Sequence, residues 1–229
     1  NHLQFSQKNN SITMTRRQLL GAIAGLPFVE MVKAANSKKG PVDTAMERGA
    51  DFLLNAQQPN GALLSKGKAD TMTALGIMAL ASMGHQPTDP GKFGFALSRA
   101  LTFILRKDPR RGKLEYFGAD GSRMYGHGIT TLCLTEMIGM VDREQTARLR
   151  EVAQKAINLI LSSQQVNKSN PKNRGGWRYT PNAHDSDLSI TAWQLLALRS
   201  GKGAGMDVPK EAVDAAVRYL KRSYSSRGG

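Results

Sequence analysis

The residues of this chain that could do acid–base or ligand-binding chemistry gather just ahead of apolar, helix-like segments. Pro181-Asn182-Ala183-His184-Asp185-Ser186-Asp187-Leu188-Ser189 holds an imidazole and two carboxylates within four positions and opens onto Ile190-Thr191-Ala192-Trp193. Lys68-Ala69-Asp70-Thr71-Met72 and Tyr125-Gly126-His127-Gly128-Ile129 stand at matching places before two other such segments. Grouped together, Asp70, His127, His184, Asp185 and Asp187 could exchange protons or hold a cation or polar ligand. Capping explains the same residues. Asp187 or Ser189 would accept the first free N–H groups of the following helix, and the helix dipole would keep Asp187 ionised, the opposite of what a general acid needs. Tyr125 and Trp193 are candidates to line an apolar ligand site, and core packing explains Trp193 equally well. There is no Gly-rich phosphate loop, no paired-Cys cluster and no His-Glu-x-x-His, so neither a cofactor nor a metal ion is expected.

These residues are carried by a repeat. Arg48-Gly49-x-x-Phe52-Leu53-x-x-x-Gln57, Arg99-Ala100-x-x-Phe103-Ile104-x-x-x-Asp108 and Lys155-Ala156-x-x-Leu159-Ile160-x-x-x-Gln164 share one pattern, with a degenerate fourth copy at Ala215-Ala216-x-x-Tyr219-Leu220-x-x-x-Tyr224. Phe52, Phe103, Leu159 and Tyr219 are 51, 56 and 60 residues apart. Three of the copies are followed by an apolar segment: Thr73 to Leu80, Thr130 to Leu134 and Thr191 to Leu198, aligned on Thr73, Thr130 and Thr191. Segments apolar nearly all round are buried on most sides, whereas the first helices keep a charged face, as at Arg150, Glu151 and Lys155. A long period with two helices per unit signals a repeat architecture in which no unit buries its apolar face alone. At least six helices and almost no strand are expected between Ala45 and Ser223, with Ile77, Leu80, Leu132, Leu134, Leu195 and Leu198 buried.

The pattern Lys/Arg-Gly/Ala-x-x-Phe/Leu-Leu/Ile-x-x-x-Gln followed by Gly-x-Trp resembles the repeat of squalene-hopene cyclases and their relatives, whose toroid is shared by protein prenyltransferase β subunits. Arg48 to Gly61 fits until Leu63 stands in place of the Trp, and Lys155 to Gln164 ends, after a longer spacer, in Gly175-Gly176-Trp177. The resemblance implies an all-α fold, an (α/α) toroid of repeated helical hairpins over residues 45–229. That toroid is incomplete at about three and a half repeats, with Arg227-Gly228-Gly229 falling inside a fourth. It implies an apolar, isoprenoid-like small-molecule ligand. In the cyclases an Asp-x-Asp-Asp-Thr motif protonates the polyene. Carried over, Asp185 is its first Asp and Asp187 the protonating one, while Leu188 replaces the last Asp and Ser189 the Thr. A carboxyl group that protonates an alkene must be held protonated by its neighbours, and Leu188 removes one of them. In a toroid the inner-helix N-termini converge on one rim, so the resemblance places Asp70, His127, Asp185 and Asp187 around a single opening. The zinc ligands of the prenyltransferases are not reproduced. A non-enzymatic scaffold for protein or envelope contacts and a polysaccharide-active α/α barrel are the competing readings.

Residues 1–34 read as an export signal. Thr15-Arg16-Arg17-Gln18-Leu19-Leu20 leads an apolar run to Val29 and then Val32-Lys33-Ala34-Ala35, a positive start, a short apolar core and a small-residue cleavage pattern. The paired arginines look like a twin-arginine signal, with Met14 as the natural start. The expected location is therefore extracytoplasmic, for example periplasmic. The formal charge is +14, but the basic residues are scattered and no nucleic-acid motif surrounds them. An anionic membrane surface or envelope polymer is the expected charged partner, and nucleic acid is not. The run Arg106 to Lys113 reads as a solvated loop. The single cysteine, Cys133, reads as a buried small hydrophobe.

Overall fold

The computed structural model describes residues 40–63 and 67–224. The expected export segment, residues 1–34, lies outside the described residues. The chain divides into two compact units, residues 1–47 and 48–229. The described part of the first is the opening of a helix, where the Gly40 N–H donates to Asp43 Oδ2 at 3.0 Å. The protein is all-α: seven α-helices and no strand among the described residues. They are α1 Pro41–Asn55, α2 Ala69–Ser82, α3 Lys92–Leu105, α4 Arg123–Met137, α5 Arg143–Gln164, α6 Leu188–Gly203 and α7 Lys210–Ser223.

Within the second unit α2, α4 and α6 lie side by side, α4 in the middle. Helix α3 packs on α2, α5 on α4 and α7 on α6. Two glycines permit the central contacts. A Cβ on Gly126 would fall 2.1 Å from Thr71 Oγ1 on α2, and one on Gly128 would fall 2.6 Å from Gln194 Nε2 on α6. The apolar segments are buried as their composition requires: Ile77, Leu80, Leu134 and Leu198 are inaccessible and Leu195 nearly so. Leu132 is only partly buried and packs at the edge of the core. Phe52 departs from the repeat. Its counterpart Phe103 is buried, but α1 lends the core only Ala50, Leu53 and Leu54 and leaves Phe52 62% exposed.

Several helices start where side chains satisfy their free N–H groups. Asp142 Oδ1 accepts from the Gln145 N–H at 2.8 Å to open α5, and Asp187 opens α6. Helix α2 has no cap of its own. Asp120, from the loop before α4, accepts the Thr71 N–H and Oγ1 hydroxyl, each at 3.2 Å. Helix α7 has Glu211 in its first turn and Lys221 and Arg222 in its last, charges that complement its dipole.

The repeat is physical as well as patterned. Gln57 Nε2 donates to the carbonyls of Gly61 at 3.1 Å and Ala96 of α3 at 2.9 Å. Gln164 Nε2 donates to those of Gly175 and Ala212 of α7, both at 2.9 Å. Gly61 and Gly175 both have left-handed φ, 93° and 91°, and a Cβ on either would run into a helix backbone, at Arg99 O of α3 or Ala215 O of α7. Further on, the N–H of a buried residue is accepted by a side chain near the start of the following helix. The pairs are Leu63 to Thr73 Oγ1 at 3.0 Å, Phe117 to His127 Nδ1 at 3.3 Å and Trp177 to Thr191 Oγ1 at 3.1 Å. These bonds correct the alignment of the second unit: His127, not Thr130, is the counterpart of Thr73 and Thr191. The three-residue shift arises because an unprotonated imidazole nitrogen accepts the N–H as a threonine hydroxyl does.

The two glutamines should differ in cost. Gln164 is buried, so Gln164→Ala leaves the buried Gly175 carbonyl without its donor and takes a second donor from the Ala212 carbonyl, and should destabilise by roughly 1–3 kcal/mol. Gln57 is partly exposed, and Gln57→Ala should cost less than half as much, because water can replace its donor. Urea denaturation midpoints of the two variants measure this.

Candidate functional site

Asp187 is the N-cap of α6. Its Oδ1 accepts from the Ile190 N–H at 3.0 Å and from Ser189 Oγ at 2.5 Å. Ser189 Oγ lies 2.5 Å from the Tyr125 hydroxyl. Since a carboxylate only accepts, Ser189 gives its proton to Asp187 and Tyr125 donates to Ser189, a chain directed from tyrosine to carboxylate. Burial pushes the Asp187 carboxyl up, but the hydrogen bonds from Ser189 and the Ile190 N–H outweigh it and hold the group below its usual value. It is an ionised cap, the wrong protonation state for a general acid.

Asp185 points elsewhere. It is exposed and pairs with Arg178 at 3.3 Å, whose guanidinium lies 4.7 Å from the Tyr179 ring centre. His184 Nδ1 donates to the Asn167 carbonyl at 2.8 Å, and the Ser169 N–H returns a bond to the His184 carbonyl at 2.9 Å. Lys168 is buried beneath this loop with Nζ on the Ala183 carbonyl at 2.8 Å. Its pKa is lowered by burial, against the opposing pull of Asp185. The segment 183–187 is thus pinned to 167–169 by backbone groups.

Asp70 and His127 do not share an opening with Asp185 and Asp187. Asp70 is 1% exposed. Arg111, 2% exposed, meets it with Nε at 3.1 Å from Oδ2 and Nη2 at 2.8 Å from Oδ1, and Arg106 Nη1 lies at 2.8 Å. Arg111 also donates to the Ile104 carbonyl and sits 4.5 Å from the Phe117 ring centre. The expected solvated loop at Arg106 to Lys113 is therefore half core: Lys107, Arg110 and Lys113 face water, while Arg111 neutralises Asp70 inside. His127 is inaccessible. It accepts the Phe117 N–H at Nδ1, so Nε2 carries the proton and donates to the Ala156 carbonyl of α5 at 3.1 Å. Burial lowers its pKa from 6.5 to about 4, against a small upward pull from the Ala156 carbonyl. Both residues are fold elements, not ligands at a mouth.

The structure does assemble a surface from Tyr125 and Trp193. Counted from Thr73, His127 and Thr191, the positions two and five residues on are Leu75 and Met78, Ile129 and Leu132, and Trp193 and Leu196. Residues three apart share a helix face, so each helix of the α2–α4–α6 row carries an apolar pair at the same level. Leu75 is 37% and Leu196 47% exposed, and Met78, Leu132 and Trp193 are half-buried. Polar groups bound the stripe along the helices. Tyr125, Ser189 and Asp187 form one end, and Ser200 donating to Glu136 Oε1 at 2.7 Å forms the other. Gln194 fixes the middle: its Nε2 donates to the Met124 carbonyl at 2.7 Å, and the Met124 N–H bonds the Tyr179 carbonyl at 3.0 Å. The sequence does not mark Gln194, Asp120, Arg111 or Lys168 as partners of buried groups. All act across 15 to 70 residues, and no local pattern marks such bonds.

Among the described residues no group of three metal-ligating side chains comes together. No helix there is long and apolar enough to cross a membrane. No protein-family model, curated protein or solved structure matches the chain.

His127 sets a pH dependence. Between pH 6.5 and about 4 the unfolded chain binds a proton that the folded protein refuses, so stability falls as pH falls through that window, by up to about 3 kcal/mol. His127→Gln keeps an acceptor and a donor but cannot titrate. Its urea midpoint should therefore fall less steeply over this range than the wild type's, and parallel curves would show that His127 is not the cause.

Proposed function

We propose that this is an exported squalene-cyclase-like or prenyltransferase-like toroid protein that binds an apolar, isoprenoid-like molecule along the α2–α4–α6 stripe. The observation that carries the reading is the stripe itself. Leu75, Met78, Leu132, Trp193 and Leu196 stay accessible on helices whose Ile77, Leu80, Leu134, Leu195 and Leu198 are buried, and a polar Tyr125–Ser189–Asp187 chain closes one end. A few apolar side chains with one fixed polar group are the usual composition of a small-molecule site. Binding, rather than protonation of a polyene, is the role this geometry supports. The proton donor of the resembling cyclases would be Asp187, and here that carboxylate is committed to a helix cap and held ionised.

Squalene is a suitable probe. Of the two tryptophans, Trp177 is buried and Trp193 borders the stripe, so a ligand there should change Trp193 emission. Leu196→Glu should weaken the effect at least ten-fold with unchanged helical circular dichroism. Asp187→Asn keeps most of the cap, should lose under about 1 kcal/mol of stability, and should bind within two-fold of the wild type. Cyclised product from the wild type, absent with Asp187→Asn, would instead make Asp187 a proton donor. Absence of any squalene effect would remove the ligand class.

Export is tested separately. Replacing Arg16 and Arg17 with lysine should stop secretion of a folded, helical protein, seen by cell fractionation. Unchanged secretion would mean that the pair is not a twin-arginine signal.

The exposed Phe52 and Phe95, on α1 and α3, favour a second reading, a scaffold whose outer helices meet another protein. Loss of a co-purifying protein in Phe95→Ser would favour it.

A further inference from the structure

A concavity lies between the Pro171–Asn173 turn and α7. It has a volume of about 450 Å³, and its lining includes Lys172, Arg174, Gly175, Ala215, Arg218 and Arg222. Four of these are cations and the lining contains no carboxylate. Elsewhere the chain neutralises many of its basic side chains: Glu151 takes Arg148 and Lys155, Asp108 takes Arg106 and Arg110, Asp51 takes Lys92 and Asp185 takes Arg178. No carboxylate among the described residues pairs with any of the four lining the cleft. Asp214, one turn before Arg218, is engaged by Lys210 at 2.6 Å.

One of the cations is also held in place. Arg218 and Arg222 stand one turn apart on α7, a like-charge spacing that disfavours a helix. Arg222 donates to the carbonyls of Lys172 at 3.4 Å and Arg174 at 2.5 Å, which fixes its guanidinium without neutralising it. The left-handed Gly175 lets the loop backbone close on the Ala215 carbonyl, where a Cβ would sit 2.2 Å away. This contact sets the spacing between the loop cations and the helix cations. All four side chains are on exposed residues, so none is there to fill a core. A concavity lined by several cationic donors that no described carboxylate pairs with suits an anion with many acceptor oxygens, and its volume leaves room for an organic group beside the anion.

We propose that this cleft binds the phosphate group of an anionic ligand, a soluble phosphate ester or a lipid head group. The test uses the 229-residue chain with two probes, pyrophosphate by titration calorimetry and vesicles of phosphatidylglycerol against phosphatidylcholine by co-sedimentation. Lys172→Gln and Arg218→Gln each remove one cleft charge without touching the Arg222 bonds. Lys107→Gln and Lys113→Gln remove the same charge from exposed positions outside the cleft. The proposal expects saturable binding of one probe, at least ten-fold weaker in each cleft variant and within two-fold of wild type in each control. Pyrophosphate binding without vesicle binding identifies a soluble ester. Cleft-dependent binding to phosphatidylglycerol alone identifies a head group. Neither probe binding, or equal weakening by cleft and control variants, overturns the site, the latter because only the overall positive field would be at work.

Discussion

One contact recurs in the three units, and their geometry hangs on it. The backbone N–H of a bulky residue in the loop is accepted by a side chain near the start of the next helix, tying Leu63 to Thr73, Phe117 to His127 and Trp177 to Thr191. A buried N–H without a partner is costly, so the bond fixes where each loop enters the core. The side chain that follows the N–H inward is fully buried in all three cases. Trp177 extends the tie by donating Nε1 to the Ile160 carbonyl at 2.8 Å, so that one residue joins α5, the loop and α6. With the loops anchored, α2, α4 and α6 begin at a common level, and the apolar pairs two and five positions further on fall into register. The stripe is a consequence of the anchor.

Much of this was legible in the sequence, because a repeat announces itself through spacing. The helices, the burial of Ile77, Leu80, Leu134 and Leu198, the equivalence of Gln57 and Gln164, and the substitution of Leu63 for Trp177 all follow from local pattern. The second unit was misaligned because Thr130-Thr131 imitates Thr73, and nothing local says that a histidine can take a threonine's place as acceptor. Asp70 looked like a rim residue for a related reason. Its partners are 36 and 41 residues away, in a basic run that looks solvated until Arg111 is seen beneath Phe117. Long-range pairing of one carboxylate with two of several nearby arginines leaves no periodic trace.

Charge tells the two kinds of basic residue apart. The +14 balance is a poor guide by itself, because it sums buried, paired and free cations. Arg111 is structural: it is buried with Asp70, and removing Asp70 would take away the carboxylate that its guanidinium meets at 2.8 Å in the core. The cations beside α7 have no such debt, which is why their arrangement around a concavity carries information and the total does not.

Asp187 shows how the same local physics limits chemistry. A carboxylate at a helix N-terminus that receives both a backbone N–H and a hydroxyl is stabilised in its charged form. Each of those bonds lowers its ability to hold a proton ready for an alkene. An acid at this position needs a competing influence, such as a second carboxylate within a few ångström. The next residue, Leu188, carries no charge and is 51% exposed, and Asp185 is turned to Arg178. The second negative charge is thus either absent or already neutralised, and Tyr125 reinforces the ionised state by donating through Ser189. The cap and the proton donor are alternative uses of one carboxylate, and the hydrogen bonds present here outweigh burial in favour of the cap.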